Sequence, residues 1–420
     1  MSFFTLTISF ILLLCGVSSA DFAFVSLDLT PEYDYVRSGV LRYITQDSSG
    51  NIQETSHHLT ANGYELDDMI FFFRHNNQKR LFAAMHNGNR AAFAVYDPDD
   101  FSAPLVLSEI TDADLANFGL RKGPLYRLYE FGNNILIETE SYDESESAVY
   151  GSVIEVNPET CKIVGAYTAN GSLSLAVYKN VIYVVSEEEK GVLMMDRLRH
   201  VTGKVSTDID ASRSVPIVIT PSGENLYVLI NKGIYRVSGD ISNLTMTGEE
   251  FLNNYAVKVA DTGTSDILSR KWIWPDGNGG LYYFILNEDG NEKHEIRHWD
   301  GSKNSTVYTS GNNMFYLRYD SVAETMLIGD DNVRSAVYRI AALKKNSAGN
   351  FTFAKDFGTT VIDMGSELTV INSSPAHSDD DNDDDDNNGN NSSHSSSGGC
   401  NSFFGIIALG AIALTVLRRR

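Results

Sequence analysis

Along residues 22–371 the apolar positions fall in short runs separated by polar turn signals, and no long stretch repeats at the 3.6-residue period of an amphipathic helix. The turn signals are dense: NGN at 87–89, GNN at 132–134, PSG at 221–223, DGNGG at 276–280, DGN at 289–291 and GNN at 311–313. Glycine and asparagine at such points tolerate the positive φ that a tight reversal needs. One segment, DADLANFGLRK at 112–122, reads as a helix. The expected class is all-β.

The runs also recur. RLFAAM (80–85), NILIET (134–139), NVIYVV (180–185), NLYVLI (225–230), GLYYFI (280–285) and TMLIGD (325–330) start 54, 46, 45, 55 and 45 residues apart. Each is followed by a second run that enters a turn: AFAVYD (92–97), SVIEVN (152–157), GVLMMD (191–196), GIYRVS (233–238), IRHWDG (296–301) and AVYRIA (336–341). GVLRYITQD (39–47) is a seventh, weaker copy. A period of about 50 residues with several strands per unit predicts a β-propeller of seven blades over residues 21–371. Each small sheet cannot cover both its faces alone, and packing around an axis covers them. Ring closure requires a strand from the far end, and FAFVSLDL (22–29) or GTTVIDMG (358–365) is placed to supply it. Two β-sandwiches are the alternative division of the same chain.

TPSGENLYVLINKGIYRV (220–237) resembles the YVTN-type propeller repeat, through Thr220-Pro221, Ser222-Gly223, Asn225-Leu226-Tyr227-Val228, Gly233 and the strand Ile234 to Val237. NVIYVVSEEEKGVLMMD is a fair second copy. The resemblance implies a fold shared by lactonases, quinoproteins and pure binding proteins, and implies no single activity.

The two ends are unlike the body. Residues 1–20 have an apolar core from Ile8 to Leu14, then small residues at Ser18 and Ala20, the pattern of a secretory signal peptide cleaved after Ala20. No basic residue precedes that core, and Leu14 before Cys15 argues against a lipoprotein signal. Residues 372–399 are Ser, Asp, Asn and Gly with almost no apolar side chain, so they read as a disordered acidic spacer. Residues 400–420 begin at Cys400, run through the uncharged stretch Phe403 to Leu417 and end in Arg418, Arg419 and Arg420. The stretch reads as one short hydrophobic helix, short for a bilayer span of roughly 20 residues. GGCNSFFGIIALGAIALTVLRRR closely resembles bacterial C-terminal sorting tails of the SYNERG-CTERM form. That resemblance implies a membrane sorting protease acting near Gly398, Gly399 and Cys400, with the tail in the membrane before processing. A plain anchor helix is the simpler alternative.

Charge narrows the partners. The formal net charge is −22, and the body stays acidic when the seven Asp of 379–386 are set aside. Nucleic acid is excluded as an expected partner, because phosphate binding needs a basic face. The three cysteines, at 15, 161 and 400, give neither a disulfide framework nor a zinc motif.

His294-Glu295-Ile296-Arg297-His298 spells the zinc-protease pattern HExxH. That chemistry needs a helix, which brings both imidazoles to one metal. Here Asp289-Gly290 and Asp300-Gly301 bracket too short a segment, and the repeat places a strand there. In a strand His294, Ile296 and His298 share a face, with the histidines about 13 Å apart, and Glu295 points away. His57-His58 reads as a solvated strand end, Asp97, Asp99 and Asp100 as a Pro-Asp turn, Glu187 to Glu189 as a hairpin tip, and Trp272 with Trp274 as blade core. No catalytic set, metal site or cofactor is expected. The expected function is an exported, surface-held propeller that binds a glycan, peptide or envelope protein. The alternative is a hydrolase or lactonase with its site at the central channel.

Overall fold

The computed structural model describes residues 21–371 except 30–34, 47–50, 89, 124, 144–147, 207–216, 231–232, 263–272, 287–292, 322, 332–336 and 362–368. The leader, the spacer and the tail, with Ala20, Gly398, Gly399, Cys400 and Arg418 to Arg420, lie outside the described residues, as does Trp272.

The chain forms a seven-bladed β-propeller of antiparallel four-stranded blades. From the inside outward, blade one is Thr369–Ile371, Asp21–Leu29, Tyr35–Gln46 and Ile52–His57. Blade two is Tyr64–His75, Gln78–Asn87, Arg90–Tyr96 and Val106–Ile110, with the two-residue strand Thr60–Ala61 paired to the start of the first as a fifth. Blade three is Leu125–Phe131, Asn134–Asp143, Ala148–Asn157 and Lys162–Asn170. Blade four is Leu173–Tyr178, Val181–Ser186, Gly191–Arg197 and His200–Ser206. Blade five is Ile217–Ser222, Asn225–Ile230, Gly233–Val237 and Ala256–Asp261. Blade six is Ile273–Pro275, Leu281–Leu286, Lys293–Trp299 and Asn304–Thr309. Blade seven is Asn313–Asp320, Thr325–Asp331, Val337–Lys345 and Phe351–Val361. The seven inner strands are neighbours in this cyclic order, and Thr369–Ile371 lies against Tyr64–His75, which closes the ring.

The apolar runs are continuous rather than alternating because both faces of the middle strands are covered. Ile135 and Ile137 join the cluster between blades two and three, while Leu136 between them joins the cluster between blades three and four. In blade six Tyr282 and Phe284 face blade seven, and Leu281 and Tyr283 face blade five. Each blade interface holds one such apolar cluster. A fully covered Leu, Ile or Phe contributes roughly 1.5–3 kcal/mol, so the interfaces carry the fold. Outer strands are half-wet, as in Lys162–Asn170, where exposed and covered positions mix.

Ring closure differs from expectation. The donated strand is Thr369–Ile371, whose residues pair with Asp21, Phe22 and Ala23. The segment 22–29 is the second strand of blade one, and 358–361 completes the outer strand of blade seven. A Leu27–Val361 pairing then joins blades one and seven into one eight-stranded sheet. Three residues suffice as closing strand because Asp21–Leu29 supplies the rest of the ladder to Tyr35–Gln46.

Among the described residues, two helices break the pattern. Helix α1 is Asp112–Asn117, capped by a reciprocal Thr111–Asp114 box, and it is shorter than the 112–122 segment that the sequence predicts. Gly119, at φ 69°, ends the turn that follows it. Helix α2, Gly248–Asn254, has the same box from Thr247 and Glu250. It sits in the long connection of blade five, where Thr245–Thr247 also adds a parallel fifth strand to blade four.

Candidate functional site

The connection from blade two to blade three, described over residues 111–123, runs across the junction and leaves part of it unfilled. Helix α1 has no buried residue; from this stretch Leu120 is buried in the inter-blade core, and Leu115 and Phe118 pack against it half-buried. At Gly123 the backbone presses on blade three, where an added Cβ would lie 1.7 Å from the Glu140 carbonyl oxygen. Only glycine fits there. Opposite this connection, blade two offers the small side chains Ala84, Ala91 and Ala92. The result is a cavity of about 530 Å³, within the range of roughly 300–1,000 Å³ typical of small-molecule sites. Phe93 and Ile110 from blade two and Ile154 and Ile163 from blade three make its walls, and Leu115 and Leu125 complete them.

Its edge carries three basic side chains. Arg90, Arg121 and Lys122 line the cavity with a single carboxylate, Asp67, and with His86. Arg90 is held by Glu109, with Nε donating to Oε1 at 2.6 Å, and its guanidinium stands over the Tyr64 ring. The Arg90 hydrogen bonds keep the Glu109 carboxyl below its ordinary range. Lys122 pairs with Asp112 at 2.8 Å. Arg121 lies over the Tyr150 ring, 3.9 Å from its centre. These pairs are solvent-exposed, so each contributes little to stability, and what they fix is side-chain position.

Arg121 also borders a second, polar hollow of about 300 Å³ with Gly119, Tyr150, Ser152, Thr168, Asn170 and Glu188. The Ser152 and Thr168 hydroxyls are 3.1 Å apart on adjacent strands of blade three. Glu188, from the blade-four turn, accepts from the Asn170 amide N–H at 2.9 Å and from its Nδ2 at 3.0 Å. Beside it Glu187 accepts from the Ser172 N–H at 3.0 Å. The hairpin tip read from the sequence therefore straps blade four to blade three.

The other sequence candidates are structural. Lys293–Trp299 is a strand, so HExxH does not lie on a helix. A register shift opposite Ile285 and Leu286 puts an irregularity beside His294, and regular pairing with Leu281–Ile285 holds only from Glu295 to Trp299. His298 instead donates into a lock at the opposite end of the strand, with Nε2 and Asp276 Oδ2 at 2.8 Å and its ring stacked 4.4 Å from Tyr282. Asp276 Oδ1 accepts from the N–H groups of Asn278 and Gly280 at 2.7 and 2.8 Å. Burial pushes the Asp276 carboxyl up, but the His298 bond and these amides outweigh it, leaving it below its ordinary value. The loop is then tied to blade five, because Ser222 Oγ donates to the Gly280 carbonyl and Tyr227 donates to that of Gly279.

His57 ends its strand against Phe101, and His58 is exposed. Asp97 accepts from the N–H of Asp99, and Asp100 from that of Ser102, as a turn requires. Trp274 is half-buried under Arg318, whose guanidinium is 4.3 Å from the ring, and its indole donates to the Tyr319 carbonyl. Cys161 is buried at φ 53°, and burial pushes its thiol up to about 12. Arg90, Arg121, Lys122 and Tyr150 carry no sequence motif. Their only advance signal is the helical segment 112–122, which ends in the basic pair Arg121-Lys122.

No family model matches the chain, and no curated protein matches it. Among solved structures, the chain is similar to a candidate 6-phosphogluconolactonase of Bacteroides uniformis, at 14% identity and TM-score 0.51, over 84% of this chain and 99% of that one. An acylaminoacyl peptidase of Pyrococcus horikoshii aligns at 11% identity and TM-score 0.48, over 80% of this chain and 50% of the peptidase. The β-propeller domain of the Trilobed protease of Pyrococcus furiosus aligns at 10% identity and TM-score 0.43, over 77% and 93%. At these identities the first likeness establishes the fold, and the fold is what the chain shares with these proteins: a β-propeller.

Proposed function

We propose that this chain is an exported, surface-held binding module whose ligand site is the cavity between blades two and three. The carrying observation is the combination of an apolar chamber with Arg90, Arg121 and Lys122 at its edge, on a chain whose net charge is −22. Basic side chains at the mouth of an apolar chamber, two of them steadied by the carboxylates of Glu109 and Asp112, suit a ligand with an anionic head and an apolar body. The described lining has one hydroxyl, Thr139, and neither serine nor cysteine, so it supports holding a ligand rather than acylating an enzyme group. The hydrolase or lactonase reading has no observation of its own. Export and anchoring rest on the leader 1–20, the spacer 372–399 and the sorting-type tail at Cys400. The YVTN-like character of the blades rests on 220–237.

The test uses the apolar anion 8-anilinonaphthalene-1-sulfonate in a fluorescence titration. One saturable site is expected, weakened at least about tenfold by Arg121→Glu with an unchanged circular dichroism spectrum. Absent or unaltered binding overturns the reading. Mass spectrometry of the mature protein tests the tail, because residues 403–420 found intact would remove the sorting step.

A further inference from the structure

Arg121 borders both the apolar chamber and the polar hollow, so one guanidinium is shared by two compartments of opposite character. Resting on the binding reading above, we propose that the site takes an amphiphile whose head is a sugar acid: one carboxylate, several hydroxyls and an apolar tail. The tail occupies the chamber between Phe93 and Ile154. The carboxylate meets Arg121, whose stacking on Tyr150 at 3.9 Å fixes the guanidinium plane. The hydroxylated part of the head enters the hollow.

Three features select hydroxyls there. The Ser152 and Thr168 hydroxyls, 3.1 Å apart, each donate and accept, which matches the dual character of a sugar hydroxyl. Ser152 is buried, so its orientation is set by blade three and not by solvent. Glu188 spends two hydrogen bonds on Asn170, and a carboxylate has about four lone-pair sites. The remaining sites suit O–H donors and repel a second negative charge. A phosphate dianion therefore fits worse than a monoanionic, polyhydroxylated head. The hollow of about 300 Å³ has room for one such ring.

Titration calorimetry of the full chain, below micellar concentrations, compares octyl glucuronide, octyl glucoside and octanoate. The glucuronide is expected to bind at least about tenfold more tightly than either of the others, since each lacks one of the two recognised elements. Arg121→Gln is expected to erase the advantage over octyl glucoside, and Ser152→Ala with Thr168→Val the advantage over octanoate. Arg121 is exposed, so its variant keeps the test valid if the paired core substitution unfolds the protein. Octanoate binding as tightly as the glucuronide overturns this inference and leaves the binding reading standing. Failure of all three probes, together with failure of the anilinonaphthalene sulfonate, overturns both.

Discussion

Replacing Asp276 by alanine removes the acceptor of three hydrogen bonds at once. Its carboxylate takes the N–H groups of Asn278 and Gly280 and the Nε2 of His298, and its side chain is 7% exposed. Asn278 is exposed, so water replaces its lost partner at little penalty. Gly280 is buried and the His298 side chain is 17% exposed, and an orphaned buried donor costs about 1–3 kcal/mol. The Asp276→Ala variant is thus expected to lose about 3 kcal/mol in urea denaturation at neutral pH. Asp276→Asn, which keeps one acceptor oxygen, should lose about half of that. The sign with pH follows from the carboxyl lying below its ordinary 3.8 in the folded state. Its stabilisation is complete above that value and disappears as pH falls through the lower, folded-state one. The gap between wild type and Asp276→Ala should then shrink as pH falls below about 4. A loss under about 1 kcal/mol at pH 7 would refute the lock between blades five and six.

Gly123→Ala forces a Cβ within 1.7 Å of the Glu140 carbonyl oxygen, and thermal unfolding should show a loss of at least about 2 kcal/mol. Val370→Pro removes an N–H from the closing strand opposite Phe22, and should lower the melting temperature more than the same change in an exposed outer strand. Thr111→Ala deletes the cap of α1 and should cost about 1 kcal/mol while weakening anilinonaphthalene sulfonate binding in the cavity. Cys161, buried with its thiol pushed up to about 12, should stay unalkylated by iodoacetamide at pH 8 in native protein, and peptide mapping should find it modified only after denaturant.

In blades two to seven the second and third strands were legible because both of their faces are covered. That covering turns RLFAAM or NVIYVV into an unbroken apolar run. The inner strands were harder, since they mix buried polar groups such as Arg318, Asp320 and Ser174 with apolar ones. The closing strand Thr369–Ile371 has three residues and no periodicity to detect, so the longer segments 22–29 and 358–365 attracted the assignment. Helix α2 was hidden because its buried side is one residue, Phe251. HExxH was correctly assigned to a strand from its turn brackets, but the register shift at His294 has no signature in the letters. The cavity was illegible for another reason. Ala92, Arg121, Tyr150 and Glu188 meet only because blades two, three and four are adjacent, and no spacing rule encodes that adjacency.

The most direct measurement is a crystal structure of the full chain soaked with 4-iodobenzoate, an apolar ring carrying one carboxylate and a heavy atom located by anomalous scattering. The iodine is expected between Phe93 and Ile154, with the carboxylate turned toward Arg121. An ordered iodine in the central channel, with the chamber between blades two and three left empty, would contradict the assignment of the site.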